Sequence, residues 1–206
     1  MEILLPKMKY FGPLFYLMLY LSPVSSQSLE DIARAKEITW YGIDFSETRF
    51  VNFDNELSVN SLTDSLISRW SLYPLSPEKN AAICKMYLKN NLKLNDHSSH
   101  MRNFSIDYSN RLVNSNYNLD DEAVRNIISK YDVNGTGYGL LLVVEEFEKN
   151  SNRAYIWVVF IDNTSKKLLA IRRYICDSKN GDIENRWLGA IDLALRYGGK
   201  ILRAIR

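Results

Sequence analysis

The five residues 140–144 (LLLVV) are apolar at every position, and this run constrains the fold more than any other stretch. A strand points successive side chains to opposite faces, so an unbroken apolar run needs cover on both. The strand over residues 138–147 is therefore expected at the centre of a sheet. Two further strand candidates follow closely, at residues 154–161 and 167–175. Residues 149–152 join the first pair, and Asp162-Asn163-Thr164-Ser165 joins the second as tightly as a hairpin does. The last third thus reads as a three-stranded antiparallel meander. Residues 184–197 follow as an amphipathic helix with Trp187, Ala190, Ile191, Ala194 and Leu195 inward, ended by Gly198-Gly199.

Upstream, residues 37–45 (EITWYGIDF) read as a strand dense in aromatic and β-branched side chains, and residues 46–53 either prolong it or form a loop. Leu62, Leu66, Ile67 and Trp70 share one helical face over residues 61–70. Ser76-Pro77-Glu78 starts another helix, running to about Asn91 with Ile83, Met86 and Tyr87 inward. Residues 95–100 are polar and read as a loop. Residues 102–108 (RNFSIDY) alternate and suggest a strand. Asn118-Leu-Asp-Asp-Glu opens a helix whose first-turn acids suit its dipole; Val124, Ile127, Ile128 and Tyr131 recur at helical spacing. The order is β-α-α-β-α-β-β-β-α. The fold class is α/β, a mixed sheet with its helices packed mainly on one face.

The amino terminus has the order of an export signal. Lys7 and Lys9 precede the apolar run 10–21, and the small residues Val24 to Ser26 fit a peptidase site before Gln27. The expectation is a cleaved signal peptide over residues 1–26 and a single α/β domain over 27–206, outside the cytoplasm. The run is shorter than the roughly 20 apolar residues of a bilayer crossing, and no later segment is apolar enough to span. Net charge is +2, or +1 without the leader's Glu2, Lys7 and Lys9. No broad basic field results, so nucleic acid is not an expected partner.

The element order resembles the amino-terminal domain of TolB and the LpoB-type envelope domains of Gram-negative bacteria. The pieces are the strand at 38–45, the helix at 61–70, the strand at 103–108, the helix at 120–131, the strand at 138–147, the hairpin around Asp162-Asn163 and the last helix. The helix from Pro77 is an addition, and neither a propeller nor a lipid-bearing cysteine is present. The resemblance implies a periplasmic or secreted domain that binds another envelope protein rather than catalysing a reaction.

Candidate chemistry is sparse. Only two histidines occur, His97 and His100, in a segment read as solvated loop. Two ligands without a third rarely make a metal site, so neither a metal nor another cofactor is implied. Neither a nucleophile elbow nor a phosphate-binding loop occurs. Asp44 and Glu145 are the alternative, as carboxylates of a secreted hydrolase. Glu145 and Glu146 are expected on opposite faces of their strand, which disfavours a paired-acid site built on the two. A further alternative is a carbohydrate- or peptide-binding module on an aromatic sheet face, with Trp40, Tyr155 and Trp157 as its rings. Arg172 and Arg173 are candidates for a small basic rim that meets an acidic partner. Cys84 and Cys176 are the only cysteines, either one disulfide or two free thiols. Asn103, Asn134 and Asn163 each open an N-glycosylation sequon, relevant only in a eukaryotic secretory route.

Overall fold

A computed structural model describes residues 29–53, 58–61, 66–178 and 181–206. The expected leader lies outside the described residues, as does the middle of the helix expected at 61–70. The elements are α1 (Leu29–Arg34), β1 (Glu37–Asp44), β2 (Arg49–Val51), α2 (Val59–Ser61), α3 (Ile67–Leu72), α4 (Pro77–Tyr87), β3 (Asn91–Leu94), α5 (His97–Phe104), β4 (Leu112–Val113), α6 (Asp121–Ser129), β5 (Tyr138–Glu148), β6 (Arg153–Asp162), β7 (Lys167–Asp177) and α7 (Ile183–Ile205).

Both edges of β5 are bonded. One pairs antiparallel with β6, which pairs antiparallel with β7, so the meander is present. The other edge is shared end to end by two parallel strands. β1 lies along the first half of β5 and β2 along Glu146 to Glu148. β3 and β4 then add in parallel outside β1 and β2. Residues 46–53 thus do both things the sequence allowed: the chain turns out of the sheet after Asp44 and returns to the same edge of β5.

Leu140 to Val144 are fully buried, as a doubly covered central strand requires. Leu140, Leu142 and Val144 face the larger core, with α1, α3, α4 and α7 over it. Leu141 and Val143 face a smaller core closed by Val124, Ile127 and Ile128 of α6. The fold is α/β with most helices on one face.

Three expectations give way. Residues 102–108 are not a strand. α5 occupies 97–104, taking in part of the expected loop, and its polarity is inverted: Ser99 and Asn103 are buried while Met101 and Phe104 are exposed. The inward amide of Asn103 explains this. It donates to the Ile43 carbonyl (2.7 Å) and accepts from the Phe45 N–H (2.7 Å), pairing the end of β1. The strand beside β1 is instead β3, because α4 stops short of Asn91. Leu88 turns left-handed (φ 57°), and the Lys89 N–H closes on the Cys84 carbonyl.

Gly198-Gly199 does not end α7, which runs on to Ile205. The glycines are where α4 crosses it. A Cβ on Gly199 would lie 2.6 Å from the Met86 carbonyl oxygen, and one on Gly198 would lie 2.5 Å from the Tyr87 hydroxyl. Lys89 ties the end of α1 to this layer, its buried ammonium donating to the carbonyls of Ile32 and Ala35. Burial, with Arg206 nearby, pushes its pKa down from 10.5 to about 8.

Gly199→Ala gains helix propensity but forces two backbones apart; overpacking of this kind costs about 1–3 kcal/mol, so the urea midpoint should fall. Lys89 sets a pH dependence. Between pH 8 and the ordinary lysine value, the unfolded chain holds a proton that the folded chain has lost, so stability from this group rises with pH. Urea midpoints between pH 7.5 and 9.5 should therefore climb more steeply in the wild type than in Lys89→Met.

Candidate functional site

The site is built where the ladders on either side of β5 slip. Asp44 pairs with Val143 and Arg49 with Glu146, so five steps on one chain match three on the other. The extra chain is stitched down by side chains. Thr48 Oγ1 donates to the Val144 carbonyl (2.7 Å), where a strand N–H would otherwise bond. Asp44 accepts from the Ser46 N–H (2.7 Å), from Arg102 Nε (2.8 Å) and from the Tyr131 hydroxyl (2.7 Å). Arg111 bonds the Glu47 carboxylate (3.0 Å) and the Ser46 carbonyl (2.8 Å). Asp44 is fully buried, so each of these donors is needed. Burial opposes the charge on Arg102, but Asp44 more than offsets it and the guanidinium pKa rises. Burial, then the Asp44 charge, pushes the Tyr131 phenol well up.

The ladder on the other edge of β5 slips once, between Val144 and Glu146, which leaves Glu145 as the extra residue of a β-bulge. Val144 and Phe147 both stay in the larger core. Glu146 pairs with Arg49 and Tyr155, whose neighbours Phe50, Ala154 and Ile156 fill that larger core. Glu145 bonds Trp157, a member of the smaller core. Both glutamates thus turn to the α6 face, which corrects the expectation that they point apart. They take different hydrogen-bond partners there. Glu145 holds the guanidinium of Arg173 by two bonds (2.8 and 2.7 Å) and accepts from Trp157 Nε1 (2.8 Å). Glu146 accepts from the Tyr117 N–H (2.6 Å), and burial raises its pKa.

The residues named from sequence separate accordingly. Tyr155, Trp157 and Arg173 come together on the α6 face, with the Arg173 guanidinium 4.5 Å from the Tyr155 ring centroid. Trp40 does not join them; it is fully buried in the larger core on the other side. Arg172 is exposed on the opposite face of β7, where its guanidinium donates to the Ile171 carbonyl (3.0 Å). Asp44 and Glu145 are both fully buried, and both oxygens of each carboxylate already accept from protein donors. His97 and His100 are exposed on α5, and the His100 ring packs on Phe104 at 4.5 Å. Cys84 on α4 and Cys176 on β7 are free thiols, not a disulfide. Of the sequon asparagines, Asn103 and Asn163 are buried with their amides bonded, whereas Asn134 is exposed.

Reading from sequence missed Arg102, Arg111, Tyr131 and Asn103. One signal was available. Gly42 interrupts an otherwise bulky strand, and such a glycine often marks a bulge or a close backbone approach. It has φ 98°, and a Cβ there would strike the Ser99 hydroxyl, so α5 docks on β1 at this point.

No family model matches the chain, and neither does any curated protein. Among solved structures, the chain is similar to the LpoB C-terminal domain from Salmonella enterica at 9% identity and a TM-score of 0.28. The alignment covers 73% of this chain and 96% of that one. A likeness at that score carries no argument about role. No described helix is long and apolar enough to cross a membrane.

Asp44→Ala leaves the part-buried Arg102 guanidinium without its carboxylate and the Ser46 N–H and Tyr131 hydroxyl without their acceptor, a loss of about 2–4 kcal/mol. Urea titration should show that loss, while Arg34→Ala, which removes an exposed ion pair, should leave the midpoint within error.

Proposed function

We propose that this chain is an exported, non-catalytic domain of the bacterial cell envelope that binds another envelope protein along the free edge of β7. The observation that carries this reading is the edge itself. β7 is 11 residues long, and among the described residues it pairs only with β6. An unpaired edge of that length is a template for another strand. Strand addition draws affinity from main-chain bonds and specificity from alternate side chains. Ile175 presents an apolar side chain here, 51% exposed. Arg172 has no carboxylate partner among the described residues, which favours an acidic side chain on the incoming segment. Lys167 and Asp177 guard the ends of the edge against indiscriminate pairing.

The export part of the reading rests on the leader pattern over residues 1–26. The hydrolase alternative loses support because its two acids are already occupied as acceptors. The aromatic-platform alternative loses support because Trp40 is enclosed in the larger core.

A photo-crosslinking residue at Ile175 tests the edge in cells of the source organism. It should give a discrete crosslinked protein that disappears with Arg172→Glu, while the same probe at the exposed Asn126 of α6 should not. Equal crosslinking at both positions, or none at Ile175, would count against the edge. Amino-terminal sequencing of the purified protein should begin near Gln27; recovery from cytosol with Met1 attached would remove the export reading.

A further inference from the structure

A cleft lies between the carboxyl end of α6 and the tip of the β6–β7 hairpin, sharing with the Asp44 cluster only the ring of Tyr131. It has a volume of about 250 Å³. Its apolar wall is Ile128, Val133, Leu168 and the ring of Tyr131, whose hydroxyl is turned away to Asp44. Arg125, Ser129 and Lys166 complete the lining. No acidic residue lines it, and neither Arg125 nor Lys166 forms an ion pair among the described residues. Two uncompensated cations thus stand over an apolar floor.

We propose that this cleft binds a short straight-chain fatty carboxylate, with its head between Arg125 and Lys166 and its tail against Ile128, Val133 and Leu168. The lining selects this chemistry in two ways. The floor offers an inorganic anion such as phosphate nothing to bond, whereas a hydrocarbon tail gains by leaving water. The two cations favour a charged head over a neutral one. Size sets the chain length. At the roughly 30 Å³ that a water-sized group occupies in a liquid, the cleft holds about eight such groups, which suits a chain of six to eight carbons.

Calorimetric titration of the whole protein with sodium octanoate, below its micelle concentration, tests the site. A ligand this small in a half-open cleft should bind in roughly the millimolar range. Octanol and N-acetyl-leucine should each bind at least about fivefold more weakly, since the first lacks the charge and the second has a shorter, branched tail that buries less apolar surface. Inorganic phosphate should bind more weakly than octanoate, since it has no tail to bury. The exposed-residue variant Arg125→Ala/Lys166→Ala should fold normally and lose octanoate binding about tenfold or more, the loss of two charge-assisted contacts. Octanoate binding unchanged in that variant, octanol binding as tightly as octanoate, or N-acetyl-leucine binding more tightly than octanoate would each overturn the proposal. So would absence of octanoate binding to the wild type.

Discussion

The structure depends on one side of β5 being bonded by two strands that are not continuous with each other. β1 and β2 share that edge, and four residues, 45–48, must be accommodated opposite two, Val144 and Glu145. A surplus of this kind exposes main-chain groups in the middle of a sheet, and buried main-chain groups must be paired. Thr48, Asp44 and Asn103 supply the missing bonds from side chains. Asp44 is then a buried charge that needs Arg102, and Arg102 is placed by α5. The inverted polarity of α5 follows from that demand: its inward face serves hydrogen bonds, which leaves Met101 and Phe104 outside.

Periodicity reported the elements whose burial is governed by apolar faces. β5, β6, β7, α6 and the start of α7 were legible because Leu140 to Val144, the Val124-Ile127-Ile128 stripe and the Trp187-to-Leu195 stripe each answer to one dominant force. α5 was not legible because its inward residues are polar, and the alternation of residues 102–108 mimics a half-buried strand. The end of α7 was misread for a related reason. Gly198-Gly199 has the composition of a helix stop, but the residues that decide its role, Met86 and Tyr87, lie more than a hundred positions away.

The candidate site was legible in its residue types and hidden in its geometry. Arg173, Tyr155 and Trp157 alternate on neighbouring strands of a hairpin, so their meeting follows from register. The partnership of Arg173 with Glu145 does not, because it needs a one-residue bulge that no local pattern announces. The same bulge moves Glu146 to the face of Glu145, which strict alternation forbids. Trp40 went the other way. It shares the composition of the other two rings, but its place on β1 puts it beneath the main helical layer.

The two cysteines make an unequal pair. Cys176 is fully enclosed, and burial, with Asp177 adding to it, pushes its thiol up to about 12, so it carries almost no thiolate at neutral pH. Cys84 lies partly open in the shallow trough along α4. Of the two thiols, the folded molecule therefore presents only that of Cys84 to oxidants and alkylating reagents. Any covalent dimer formed in an oxidising compartment would join α4 to α4, leaving the β7 edge of both copies uncovered by the bond itself.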